Sequence, residues 1–370
     1  MDEGQRMKDF HRLFVYLFLI PAVALIMAYA SDMDGSASDK TPNPGSSKDE
    51  FACFVYHRFG DGRYPSTNIS IDTFRSHLEF LQKEEYTVYT LGEAIQRLQL
   101  AGGVPEKTVV LTVDDGYKSF FTGAMPLLRE GGFKVTLFIN SSNVGNRDHL
   151  GWNELKKLMA EGIEIGNHSA THPHFLNVDK EVLLSRFKED VKKAQKEIEA
   201  HLGVEPEVFS YPFGEYNLEM KRAVKELGFK AAAAQNSGIV HRSSNLYAIP
   251  RFPMGGPYAT LDGFREKIGM SALKVRKQIP PSPVLKGPNP PELKLILDSK
   301  DLNLNGLQCF IQGKSNCTIR KDPTDPNTIM VKAKDPLKER RALYTITAPS
   351  MDGKTWHWFS HLWIQPEIEE

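Results

Sequence analysis

The run Val109-Val110-Leu111-Thr112-Val113 holds no charged position and stops at Asp114-Asp115-Gly116. An unbroken run of this kind predicts a strand buried on both faces, and the Asp-Gly step predicts its end. Similar short runs lie at 51–56, 134–139, 163–165, 208–211, 230–234 and 248–252. Between them the apolar spacing changes to three and four. Phe74, Leu78 and Leu81 follow Ser70, and Thr90 precedes Glu93 at the spacing of a capping box. Further helices are predicted at 117–130, closed by Gly131-Gly132, at 153–160, stopped by Gly162, and at 218–227. The clearest spans 179–202, where Val182, Phe187, Val191, Ala194, Ile198 and Leu202 recur at helical spacing before Gly203. Strands alternating with helices predict an α/β fold on a parallel sheet, closed or open.

After Arg276 the texture changes. Pro280, Pro281, Pro283, Pro288, Pro290 and Pro291 mark a Pro-rich linker at 276–291. Beyond it only strand-like runs occur, at 293–297, 328–333, 343–348 and 356–364, which predicts a small all-β sandwich, Ig-like, over 292–370. Trp356 and Trp358 share one face of the last run; a sandwich core suits them better than a sugar-stacking surface. Cys309 and Cys317 flank Gly313 and could face each other across a hairpin, paired or as two free thiols. Cys53 falls in a strand and reads as a small core residue.

At the other end, Arg6, Lys8 and Arg12 precede an uncharged stretch from Leu13 to Ala30 that closes Ala28-Tyr29-Ala30. Residues 1–30 therefore read as a secretory signal or an uncleaved signal-anchor, and 31–50 as a flexible linker. Export to the periplasm, the cell surface or an outward-facing membrane anchorage follows, and export permits a disulfide. Lys plus Arg equals Asp plus Glu at 46 each, so net charge supplies no attraction to nucleic acid. A neutral carbohydrate or small molecule fits better.

The candidate chemistry lies at strand ends. His57 follows the 51–56 strand, Asp114 and Asp115 end the central one, His168 and His172 follow the 163–165 strand, and Pro212-Phe213-Gly214 follows 208–211. Two imidazoles and one carboxylate make an N,N,O set that leaves positions open for water and substrate.

With these residues the chain resembles the polysaccharide deacetylases, the NodB-homology domain of carbohydrate esterase family 4. Thr112-Val113-Asp114-Asp115-Gly116 matches that family's Thr-Phe-Asp-Asp-Gly motif in all but the Phe. His168-Ser169-Ala170-Thr171-His172-Pro173 matches His-Ser/Thr-x-x-His-Pro in full. Ser210-Tyr211-Pro212-Phe213-Gly214 matches Arg-x-Pro-Tyr/Phe-Gly except at its first residue.

The resemblance implies a distorted (β/α) barrel domain over 51–275. It implies a divalent metal, zinc above all with Co²⁺ or Ni²⁺ as alternatives, on Asp115, His168 and His172. It implies Asp114 as general base and the Phe213 N–H as oxyanion donor. Two departures stand out: Ser210 occupies the place of the third-motif Arg, and no late Leu-x-His follows Arg251. Both resemble the poly-β-1,6-N-acetylglucosamine deacetylase subgroup, whose acid histidine precedes the Asp-Asp motif; His57 fits that place. Arg251 is the candidate cation beside Asp114, and Tyr211 and Trp152 are assigned to substrate binding. The implied function is metal-dependent N-deacetylation of N-acetylglucosamine units in an extracytoplasmic exopolysaccharide or peptidoglycan. The alternative is a catalytically inactive glycan-binding protein on the same scaffold.

Overall fold

The computed structural model describes residues 47–312, 314 and 316–369. The signal or anchor segment 1–30, and the linker up to residue 46, lie outside the described residues. Among the described residues no helix is long and apolar enough to cross a membrane.

Nine strands build the main sheet: β1 Glu50–Tyr56, β2 Thr87–Tyr89, β3 Thr108–Val113, β4 Thr136–Ile139, β5 Glu164–Asn167, β6 Val208–Ser210, β7 Ala231–Ala233, β8 Ile239–His241 and β9 Phe252–Pro253. They are ordered β7-β6-β5-β4-β3-β1-β8, with β9 also on β1 and β2 also on β3. All pair in parallel except β8, which runs antiparallel to β1. The sheet curls into a half-barrel. The segment after β8 closes much of the gap: Ile249 bonds to Ala232 at the β7 edge, and Phe252 pairs with Phe54 of β1.

Strand period decides what enters the curl. Val109, Leu111 and Val113 pack with the helices, among Phe74, Leu78, Leu128 and Leu155. Val110 faces the other way, among Cys53, Phe138, Val208, Ala231 and Ala233. The same alternation sends Thr112 and Asp114 inward with Val110. Short alanines on β7 leave that interior room for a large polar side chain, and Arg251 fills it, fully buried.

Most helices stand where the spacing places them, at Ile71–Lys83, Leu91–Gln99, Trp152–Ala160, Lys180–Leu202 and Leu218–Glu226. Thr90 and Glu93 form the reciprocal capping box. The helix predicted over 117–130 is instead a π turn at Phe120–Ala124 running into an α-helix at Met125–Gly131. The strand predicted at 248–252 shrinks to Phe252–Pro253, because Pro250 has no N–H to give a ladder.

The C-terminal part holds two four-stranded sheets. Their strands are β10 Ser271–Ala272, β11 Val275–Ile279, β12 Glu292–Leu297, β13 Gln308–Ile311, β14 Cys317–Lys321, β15 Thr328–Ala333, β16 Arg341–Pro349 and β17 Trp356–Ile364. The sheets are ordered β10-β17-β16-β13 and β11-β12-β15-β14, and they share one apolar cluster.

Three expectations are corrected here. Residues 276–291 are not simply a linker, since β11 is a hydrogen-bonded strand that pairs with β12 before Pro280 ends it. The first strand of this part starts at Ser271, inside the range assigned to the barrel. Cys309 and Cys317 do form a disulfide, but they belong to different sheets, so the bond ties sheet to sheet.

Trp363 is buried in the shared cluster, whereas Trp358 lies on the opposite face of β17. There it packs on Phe252 and donates from Nε1 to Ser237 Oγ at 3.0 Å. The described residues thus pack as one compact unit.

Candidate active site

At the end of β3 the backbone turns through two consecutive left-handed residues, Asp115 (φ 75°) and Gly116 (φ 68°). A Cβ on Gly116 would stand 3.0 Å from Ile139 Cγ2, so glycine suits both the angle and the space. The turn separates the two carboxylates. Asp114 stays in the curl with no exposure, while Asp115 swings out to the strand ends.

Asp114 meets Arg251 as a fork. Nη1 donates to Oδ1 at 2.7 Å and Nη2 to Oδ2 at 2.8 Å. The guanidinium is itself fixed by the Ala234 carbonyl (3.0 Å), Thr112 Oγ1 (3.1 Å) and Ser210 Oγ (3.0 Å). Ser210 Oγ also donates to Asp114 Oδ2 at 3.2 Å, so the serine in the departed motif position joins the pair instead of replacing it. Burial alone would raise the Asp114 carboxyl; Arg251 and His168 outweigh it and hold the group below the ordinary carboxylate range.

After β5, Asn167 and Asn140 shape the histidine loop. Asn167 Oδ1 accepts from the Ser169 N–H at 2.8 Å, and Asn140 Nδ2 donates to the His168 carbonyl at 2.8 Å. Ser169 (φ 65°) and His172 (φ 52°) are both left-handed, a strain of about 1–3 kcal/mol each that the surroundings must offset. Asp190, on the long Lys180–Leu202 helix, supplies that support: it accepts from the N–H groups of Ala170 (2.7 Å) and Thr171 (3.2 Å) and from Thr171 Oγ1 (2.6 Å).

His168 Nδ1 lies 2.7 Å from the Ser210 carbonyl, which can only accept. Nδ1 therefore carries a proton, and Nε2 is the nitrogen turned toward Asp115, the one that can serve as a metal ligand. His168 Nε2 and His172 Nε2 each stand 3.5 Å from Asp115 Oδ1. The three ligand atoms lie within 4.8 Å of one another. Two donors about 2.1 Å from one zinc at a tetrahedral angle stand about 3.4 Å apart, so the set fits such an ion. The chemistry fits as well. Burial, then the His168 charge, push His172 down to about 4, leaving a neutral imidazole at neutral pH. Asp115 is held far below its usual range, since its bond to His168 and the charges of His57, His168 and His172 outweigh burial.

His57, just past β1, is half-buried, and its charge acts on Asp114, Asp115 and His172. Phe213 is left-handed (φ 57°), and its ring lies 4.5 Å from that of His172 and 3.6 Å from that of His174. The fold therefore gathers His57, Asp114, Asp115, His168, His172, Phe213 and Arg251.

It does not gather Tyr211 and Trp152; the substrate-binding assignment of Tyr211 is corrected, and Trp152 lies away from the gathered residues. Tyr211 is fully buried, stacked on Tyr216, with its hydroxyl on the Tyr247 carbonyl at 3.1 Å. Trp152 stacks on His201 at 4.3 Å, three helical turns past Asp190, or about 16 Å along the axis.

Besides Asp190, sequence reading missed Tyr117 and Arg58. Tyr117 interacts with both Asp115 and Arg58; burial, then the Asp115 charge, push its phenol up to about 12. Arg58 is sandwiched between the rings of Tyr117 (3.4 Å) and Tyr64 (3.8 Å). Tyr117 follows the Asp-Asp-Gly turn directly, which was the one available signal.

The family pattern described as polysaccharide deacetylase matches residues 101–232. The Bacillus subtilis protein YxkH is 26% identical over 231 residues, 62% of this chain and 79% of that one. The poly-β-1,6-N-acetyl-D-glucosamine N-deacetylase of Escherichia coli K12 is 22% identical over 242 residues, 54% of this chain and 36% of its own length. Among solved structures, the Streptococcus pyogenes deacetylase PplD in complex with acetate superposes with a TM-score of 0.55 at 18% identity, covering 59% of this chain and 98% of that one. That likeness shows the shared fold.

Proposed function

From the premise that this chain carries a polysaccharide deacetylase domain, and with it the hydrolase class of that family, we propose that it is a metal-dependent N-deacetylase of N-acetylglucosamine units in an extracytoplasmic polysaccharide. The observation that carries this reading is the placement of Asp115, His168 and His172 within ligand distance of one another, directly against an Asp114 locked by Arg251. A divalent ion on that triad, zinc first and Co²⁺ or Ni²⁺ after it, supplies polarisation of the acetyl carbonyl and acidification of the attacking water.

The chain's own residues do the rest. Asp114 accepts the proton of that water, and Arg251 with Ser210 keeps its carboxylate ionised and aimed. The Phe213 N–H donates to the tetrahedral oxygen, a contact worth about 3 kcal/mol where such donors have been removed. His57 donates a proton to the sugar nitrogen as the C–N bond breaks, which leaves acetate and a free amine. Proton transfers of this kind contribute about 10²–10⁴-fold. The zero net charge and the name of the E. coli relative favour a neutral glycan such as poly-β-1,6-N-acetylglucosamine, with peptidoglycan as the other substrate to test. The apolar run before residue 31 supports export. The paired sheets from Ser271 onward are read as a β-sandwich module joined to the half-barrel.

The test is acetate release by the protein from both glycans, after chelation and after restoration with Zn²⁺ or Co²⁺. Release that vanishes on chelation and returns with metal supports the reading. No release from either glycan, with metal bound, would overturn it in favour of a glycan-binding scaffold.

A further inference from the structure

The two loops that carry the histidines and Phe213 are held from outside the half-barrel. Glu215 is buried, and Arg340 grips it as a fork, Nε to Oε1 at 2.6 Å and Nη2 to Oε2 at 2.8 Å. Arg340 Nη2 also donates to Asn177 Oδ1 at 2.9 Å, five residues past His172. Arg340 Nη1 reaches the carbonyls of Pro366 and Ile368, so the guanidinium joins both motif loops to the end of the chain. The next residue, Arg341, opens β16 and donates from Nη1 to the Phe213 carbonyl at 2.5 Å. His174 completes the clamp: its ring lies flat on Phe213 (3.6 Å, 9°), and its Nδ1 stands 3.2 Å from Glu215 Oε2.

Phe213 needs such holding. Its φ of 57° and ψ of 6° are left-handed, in a residue with a bulky side chain. With its carbonyl and its ring both held, the Cα of Phe213 cannot turn freely, and that restrains the direction of its N–H.

We propose that Arg341 is a positioning residue for the deacetylation and that the paired C-terminal sheets are thereby a working part of the active centre. They hold the Phe213 carbonyl from a distance of 128 residues along the chain, and through it the residue that carries the oxyanion N–H. This rests on the proposed function for its catalytic half and on the loop geometry for its structural half.

The test uses the whole chain with Arg341→Met and Arg341→Lys. Arg341 is only half-buried, so both variants should fold. Hydrogen exchange is followed on the peptide spanning 209–217, together with kcat, KM and bound metal. The expected result for Arg341→Met is faster exchange in that peptide and a kcat lowered about tenfold to hundredfold, less than the roughly 10²–10³-fold that follows outright removal of an oxyanion donor, because the N–H is displaced and not deleted. KM and metal content should stay unchanged, and Arg341→Lys should recover part of kcat. Unchanged exchange overturns the proposal, and so does an unchanged kcat in an active enzyme. If the wild type releases no acetate, the functional reading falls by itself. Exchange then decides the positioning role: faster exchange upholds it and unchanged exchange removes it.

Discussion

Among the described residues two arginine–carboxylate forks are buried, and they do different things. Arg251 and Asp114 have side chains with no exposure, and Arg340 and Glu215 have 3% and 2%. Both are bidentate, and both stabilise by their fit once the charges are out of water. The difference lies in what stands next to the carboxylate. Asp114 Oδ2 is 4.0 Å from His168 Nε2 and so borders the metal ligands. Glu215 is taken up by Arg340 and His174 and borders only loops. A buried fork therefore does not mark a catalytic acid or base; its neighbours do.

The sharpest way to break that contrast is Asp115→Ala. It should lose bound metal and acetate release together, down to background, with the protein still folded. Full activity in that variant would dissolve the site. Arg251→Met should come next. It leaves Asp114 buried without its cation, so kcat should fall about 10²–10⁴-fold and stability by about 3–5 kcal/mol. Glu215→Gln should cost comparable stability but far less kcat, and equal losses of kcat would erase the distinction between the forks. His57→Gln should lower kcat by about 10²-fold without moving metal content or melting temperature; an unchanged rate would assign the acid elsewhere.

The last effect concerns acid stability, and it leaves the chemistry of the site untouched. Burial pushes His77, in the half-barrel core, down to about 4, and His361, on β17, down to about 3. An unfolded histidine titrates near 6.5. Between pH 6.5 and about 4 the unfolded chain therefore takes up protons that the folded protein refuses. Stability should fall as pH drops through that window, by up to about 1.4 kcal/mol per pH unit for each histidine, and neither group adds slope above it. Urea midpoints at pH 7, 6 and 5 measure this, and His361→Leu should flatten the fall.

What could be read from sequence was local. The central strand, the Asp-Asp-Gly turn and the His-x-x-x-His loop each occupy a few consecutive residues whose period and turn chemistry act at short range. The helix over 179–202 was legible for the same reason, and so was the capping box at Thr90. Arg340 and Arg341 were not, because their partners Glu215 and Phe213 lie more than 120 residues away and no pattern in β16 points to them. Asp190 sits beside the apolar stripe of its helix and looked like ordinary solvated surface. Tyr211 misled in the opposite sense: it occupies a motif position, yet strand alternation turns it to the helix side, away from Ser210. The proline-rich tract hid β11, whose residues carry little apolar signal because most of them are exposed on an outer strand.

The most direct test of the account is a titration of zinc into chelated protein, comparing the wild type with Asp115→Ala and Asp114→Asn. The account predicts one ion per chain in the wild type, retained by Asp114→Asn and lost by Asp115→Ala. Wild-type binding in Asp115→Ala would contradict it, because the metal would then lie somewhere other than among Asp115, His168 and His172.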